Sequence, residues 1–357
     1  MSRRTTRMLK TLLSTLHYSG VDLMMAPYTR GLGAIFKLHH VRPDHPGVFE
    51  PNRNLKLTPD FLDRCISLVR LQGFEIISLD EAHFRLVEGS TSHQRPFVCF
   101  TFDDGYRDNL EYAYPIFRRH NLPFAVYVAT SYVDGHGDLW WLALEQAIAR
   151  TDALDVKIDG RARRLPCSSL QEKEIAYQTL YWWLRTVDER DARAIVHEIA
   201  SRAGIDVAGL CRREMMTWDE IRQLAAEPLA TIGAHTRRHY PLAQLSLAEA
   251  RAEMADSIDR VTFETDRQCR HFAYPYGDAA SAGAREFELA RELNMKTAVT
   301  TRRGPIFPDA AQNLTALPRV PLSGDYQKAR YVKVLLTGAP YAFSGLLDRS
   351  PRRVNAR

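Results

Sequence analysis

What most restricts the folds open to this chain is a rhythm. Apolar runs of strand length, filled rather than alternating, recur between segments of helical period. GAIFKLHHV (33–41), FEIISL (74–79), FVCFTF (97–102), FAVYVAT (124–130), LATIGAH (229–235), HFAYPYG (271–277) and KTAVTT (296–301) read as strands. A strand apolar on both faces belongs to a parallel sheet covered by helices, because each parallel connection crosses over and carries a helix with it. Helices are expected over 58–73, with Thr58 as N-cap, Pro59 at N1 and Gly73 as stop, and over 246–261, opened by the capping box Ser246-x-x-Glu249. Others are expected from Asp80, over 109–120 and near 284–293. With this many units a closed or nearly closed β/α barrel is expected rather than an open sheet.

Residues 139–228 break the rhythm. They are mostly helical by pattern, with LWWLALEQAIAR at their start, and read as a long insertion on the barrel. The expected organisation is a basic amphipathic segment (1–30), a barrel (31–325) and a basic C-terminal tail (326–357).

Charge sharpens the picture. The chain has 357 residues and a net charge of +5, but Arg3, Arg4, Arg7 and Lys10 crowd one end. Arg349, Arg352, Arg353 and Arg357, against Asp348, crowd the other, so the body is near neutral. That argues against a nucleic-acid groove. Five scattered cysteines without a CxxC read as reduced, buried thiols. The stretch MLKTLLSTLHYSGVDLMMAP is interrupted by His17, Tyr18 and Asp22 and lacks a clean cleavage site. It is expected to form an amphipathic helix packed on the domain. Peripheral membrane contact through the arginines is a second expectation. A cytoplasmic chain, touching the inner membrane face at most, follows; oligomeric state is left open.

The chemistry is concentrated at strand ends, where parallel β/α folds gather their catalytic groups. The run VCFTFDDGY ends a buried strand on Asp103 and Asp104, two like charges that need a cation or a partner. His235 and His239, in IGAHTRRHYPL, have a spacing that puts two imidazoles on one side of a helical turn. Together these residues make a two-histidine, one-carboxylate set with open positions for water and substrate. FAYPYGD adds a proline-fixed turn that leaves the Tyr276 N–H free.

TFDDGY, HTRRH and FAYPYG, in this order, resemble the polysaccharide deacetylases with a NodB-homology domain, carbohydrate esterase family four. The resemblance covers residues 31–325 apart from the insertion. It implies an α/β fold, a distorted (β/α) barrel of the NodB-homology type with a helical insertion here. It also implies one divalent metal, zinc first, with cobalt, nickel or manganese as alternatives, and hydrolysis of N-acetyl groups on sugars. By motif position Asp104, His235 and His239 match the metal ligands and Asp103 the general base. The Tyr276 N–H matches the donor to the oxyanion. The family's arginine that orients the base falls at Ala273, so Arg319 or Arg270 is expected to replace it, with Arg319 also counted among the substrate-binding residues. No histidine follows His271 to act as a late general acid. LHHVRPD resembles the YHRV segment of some members, which makes His39 the expected acid, facing the metal from the side opposite Asp103. His40 is expected to point into the helix layer.

Trp140 and Trp141 are candidates for a platform on which sugar rings stack, or for anchors of the insertion; Trp182 and Trp183 are expected in the core. The resemblance thus implies a hydrolase of linear, non-peptide amides acting on an N-acylated amino sugar. Deformylation or deacetylation of a lipid-linked amino sugar is the alternative within the fold, and an inactive carbohydrate-binding protein the alternative outside it. A phosphoesterase is disfavoured because no Gly-rich phosphate cradle accompanies the triad.

Overall fold

The computed structural model describes residues 3–44, 49–89 and 95–342. Two helices, α1 (Arg3–Ser19) and α2 (Val21–Thr29), precede eight parallel strands of one sheet. These are β1 (Gly33–Leu38), β2 (Glu75–Ile76), β3 (Phe97–Phe102), β4 (Phe124–Val128), β5 (Ala230–Ala234), β6 (His271–Ala273), β7 (Thr297–Arg303) and β8 (Leu317–Pro321). The order is β1-β8-β7-β6-β5-β4-β3, and β1 pairs again with β3, so seven strands close a barrel. The short β2 adds to β3 beside it.

Closure demands a close approach. A Cβ on Gly33 would sit 2.3 Å from the Phe97 carbonyl oxygen, so only glycine fits where β1 meets β3. The interior is filled by Ile35, Cys99, Tyr127, Ala273, Val299 and Leu317. The outward side chains, among them Phe36, Val98, Phe100 and Phe272, meet the helical layer. This two-sided burial is why the strands read as filled apolar runs. Each such side chain contributes roughly 1.5–3 kcal/mol.

Several expectations need correction. The run 33–41 is two elements: β1 ends at Leu38, and His40–Val41 pairs with Lys56–Leu57 instead. The insertion has its own apolar cluster, built on α3 (Trp140–Arg150), α4 (Leu170–Leu184) and α5 (Glu189–Arg202) and shared with Tyr106 and Tyr132 of the barrel loops. It is mostly helical, as expected, but Ala153–Ile158 and Arg161–Pro166 add an antiparallel hairpin that the pattern did not reveal. The last helix of the expected stretch, Trp218–Ala226, belongs to the barrel, with Trp218, Ile221 and Leu224 in the core outside β5. The tail expected from residue 326 begins with two helices, α6 (Ala329–Leu336) and Ala339–Ala342. α1 packs on α6, burying Leu13 and Leu16. The tail arginines 349, 352, 353 and 357 lie outside the described residues. All five cysteines are free and buried.

Candidate active site

Alternation along the strands selects what faces the barrel interior. Two residues beyond Ile35, Cys99 and Leu317 come Lys37, Thr101 and Arg319, nearer the C-terminal rim, and Asp103 follows Thr101. Arg319 is fully buried. Its Nη1 donates to Asp103 Oδ1 at 2.6 Å and its Nη2 to Oδ2 at 2.7 Å, a bidentate pair. Two further donors are used: Nε reaches the Thr300 carbonyl and Nη1 the Thr101 hydroxyl. Burial alone would raise the Asp103 carboxyl, but the guanidinium outweighs it and holds the group below its ordinary value.

Asp104 turns the other way. Its φ of 76°, followed by 84° at Gly105, reverses the chain so that neighbouring carboxylates part. Asp104 Oδ1 lies 3.3 Å from both His235 Nε2 and His239 Nε2. The donor atoms of these three buried residues lie within 4.8 Å of one another. His235 Nδ1 donates to the Ala273 carbonyl at 2.7 Å, which leaves a lone pair on Nε2. A lone pair facing a buried carboxylate calls for a cation between them. Asp104 Oδ1 accordingly has no hydrogen-bond donor among the described residues. Burial would raise the Asp104 carboxyl, and only a cation or donated hydrogens at the two facing nitrogens hold it well below the carboxylate range. Burial also pushes His239 down to about 4, the neutral form that a metal ligand needs.

The two histidines do not share a helical turn, contrary to expectation. They bracket an irregular loop in which Thr236 (φ 62°) and His239 (φ 60°) are both left-handed. Such a conformation costs a β-branched residue of order 1–3 kcal/mol and persists only where neighbours impose it. Here the Thr236 hydroxyl accepts from the His239 N–H, and Arg193 donates to the Arg238 carbonyl. Glu253 accepts from the Arg238 N–H on the other flank. Tyr276 is left-handed as well (φ 60°), and its N–H has no acceptor among the described residues.

With this geometry in place, comparison with known proteins is informative. The sequence matches the family described as Polysaccharide deacetylase over residues 90–158 and 178–298, more than half of the chain. The chain belongs to the polysaccharide deacetylase family. No curated protein matches it significantly. Among solved structures, Streptococcus pyogenes deacetylase PplD in complex with acetate is similar at TM-score 0.53 and 18% identity, over 82% of this chain and 92% of that one. IcaB from Ammonifex degensii is similar at TM-score 0.51 and 16% identity, over 85% and 96%. At these identities the likeness establishes the fold. Membership makes this polysaccharide deacetylase a hydrolase of amide bonds on N-acetylated sugars.

The structure rearranges several of the expected roles within the deacetylase. Of the two candidate arginines, Arg319 reaches Asp103, while Arg270 is exposed and bonds Gln268. Fully buried against Asp103, Arg319 is not placed to contact substrate. Trp140 and Trp141 are no open platform, since they are only 1% and 5% exposed. Trp140 Nε1 donates to the Tyr276 hydroxyl, and the Trp141 ring lies 5.4 Å from His239, which Tyr132 and Tyr276 also flank. Trp182, expected in the core, is 54% exposed and lines a cleft beside His39 together with Tyr181. His39 Nε2 lies 4.0 Å from Asp103 Oδ2, on the same side as the carboxylate rather than across from it. Burial pushes His39 down to about 3. His40 is 1% exposed, held at the start of the helical segment Asn109–Ala113. It bonds Asp108 at 2.7 Å, and its ring lies tilted over Tyr106 with centroids 3.6 Å apart.

Sequence reasoning missed how the LHHVR segment is held. Asn109 donates to the His39 carbonyl, and Asp108 accepts from His40, the Val41 N–H and Arg42. The signal was present as Asp108-Asn109, immediately after DDGYR, but nothing local to those residues names their partners.

Proposed function

We propose that the chain removes N-acetyl groups from amino sugars of a poly- or oligosaccharide, using one divalent ion, zinc first, held by Asp104, His235 and His239. The observation that carries this reading is the buried carboxylate oxygen 3.3 Å from two imidazole nitrogens, one of them with its lone pair turned inward. A divalent ion bound there would polarise the amide carbonyl and acidify a water.

The chain's own residues supply the rest. Asp103, kept ionised by Arg319, takes the proton of the attacking water. The free Tyr276 N–H donates to the carbonyl oxygen as negative charge develops on it. The leaving nitrogen needs a proton, because an amide anion is too basic to depart. His39 is neutral at rest and 4.0 Å from Asp103, so it is placed to receive the proton Asp103 has taken and pass it on.

We assign the chain to the cytoplasm, in contact with the inner membrane face through residues 1–25. Among the described residues no helix is long and apolar enough to cross a membrane. Exposed Tyr18, Leu23 and Met24 on the first two helices support surface contact. A processed, exported form would overturn this assignment.

The test is acetate release from N-acetylated amino-sugar oligomers and lipid-linked amino sugars, with zinc supplied and formate measured alongside. Acetate without formate is expected. Purified protein should carry about one divalent ion per chain by elemental analysis, lost in His235→Ala or His239→Ala. Full metal content in both variants would sink the triad.

A further inference from the structure

Between the barrel rim and α4 lies a cavity of about 280 Å³ whose wall includes His39. It is therefore continuous with the group that Asp103 approaches. One side is aromatic and amide-bearing, with Tyr181, Trp182, Asn54 and Gln178, the kind of wall on which a sugar ring lies. The other side carries two cations, Lys37 and Arg303.

These cations have no obvious structural employment. Among the described residues neither forms an ion pair, although almost every other arginine near the rim does. Lys37 projects from β1 into the barrel interior, half-buried, where a lone ammonium is costly. Burial and the nearby Arg319 push it down to about 8, so it is still charged at neutral pH. Of the carboxylates nearest in effect, Asp103 is engaged by Arg319, and Asp104 would be engaged by the divalent ion of the proposed site. The one acid on the cavity wall, Asp325, accepts a hydrogen bond from Thr6. Asp325 keeps its charge, so the two cations leave the wall of the cavity beside His39 with one positive charge in excess.

Resting on the deacetylase reading above, we infer that Lys37 and Arg303 form an anion subsite, and that the preferred substrate carries a phosphate or carboxylate on or next to the N-acetylated sugar. A phosphate would come from a sugar phosphate or a lipid-phosphate-linked sugar, and a carboxylate from a neighbouring uronic acid. A neutral glycan would cover half-buried Lys37 without pairing it, which costs affinity, and would gain nothing from Arg303.

The experiment compares zinc-loaded full-length protein on matched ligands. N-acetylglucosamine 1-phosphate is set against its methyl glycoside, and N-acetylglucosaminyl-glucuronic acid against the neutral disaccharide. Wild type should favour the anionic member of at least one pair by on the order of 10–100-fold in kcat/KM, the size of one or two charge-assisted hydrogen bonds. Whichever pair shows the preference identifies the source of the anion. Lys37→Met and Arg303→Gln should each collapse that ratio towards 1. A merely structural loss would depress both ligands and leave the ratio intact. Arg303 is exposed, so its variant carries the test if Lys37→Met does not fold.

Calorimetric binding of the same ligands reads the subsite without turnover. If no acetate appears from any ligand, the deacetylase reading fails while the binding ratio still reports on the anion. Equal affinity and equal kcat/KM for anionic and neutral ligands, or a preference that survives both substitutions, would overturn the subsite.

Discussion

Asp103 and Asp104 are neighbours in sequence with separate electrostatic lives. One φ of 76° sends the first to a guanidinium and the second to two imidazoles. Asp103→Asn should lower kcat on the order of 10²–10⁴-fold while metal content is kept, since it removes a base and no ligand. It should also lower stability, because Arg319 is left buried with half a partner. Breaking a buried pair costs about 3–5 kcal/mol, and the amide's one remaining acceptor puts this case near the lower end. The folded-state carboxyl titrates below its unfolded value, so its contribution is fully present above that value and disappears as pH falls through the folded one. The stability gap between wild type and Asp103→Asn, followed by denaturant titration, should therefore be widest near neutrality and narrow below about pH 4. A gap independent of pH would remove the charge from the explanation. His39→Ala should depress turnover sharply with metal content unchanged; wild-type kcat in that variant would take the acid role away from it.

At the scale of elements, the strands and their caps follow local rules and the loops do not. Thr58 and Ser246 cap their helices as their spacing requires, and Ser246 closes a full capping box. The hairpin in the insertion also had a local signal. Asp159 (φ 50°) and Gly160 (φ 76°) form the left-handed two-residue turn typical of Asp-Gly, which the surrounding helical pattern masked. Gly33 is the opposite case, an ordinary strand residue in sequence that closure makes irreplaceable. Gly33→Ala would press a methyl against the Phe97 carbonyl and push β1 from β3. Overpacking of this kind costs about 1–3 kcal/mol, and a lowered melting temperature should report it. Because β1 also leads to His39, activity should fall further than stability alone explains.

For the whole molecule, α1 and α2 show two faces. Leu13 and Leu16 hold α1 to α6 and the barrel, so the segment is part of the folded body. Tyr18, Leu23, Met24 and Tyr28 face outward, with exposed Arg7 and Arg30 on the same two-helix segment and its flank. Apolar side chains beside arginines complement an anionic bilayer surface. The full-length protein should float with vesicles of phosphatidylglycerol and phosphatidylethanolamine. Leu23→Gln with Met24→Gln should weaken partitioning on the order of tenfold or more, as lost burial of two large side chains implies. Equal flotation of wild type and variant would assign the exposed face to something other than lipid.

Sequence alone determined the parallel barrel, because filled apolar strands alternating with helices have few other ways to hide both faces. It also singled out Asp103, Asp104, His235, His239 and Tyr276, since chemistry at strand ends is concentrated in short motifs. Which arginine grips Asp103 is fixed by the closed barrel, because Arg319 is 216 residues away and nothing local links them. The same holds for Trp140 and Trp141, whose aromatic rings read alike whether open to a sugar or packed around Tyr276 and His239. It holds again for Lys37, an unremarkable strand lysine until closure turns it into the barrel beside His39. Period and composition are properties of a segment, whereas a partner is a property of the closed barrel that brings distant segments together.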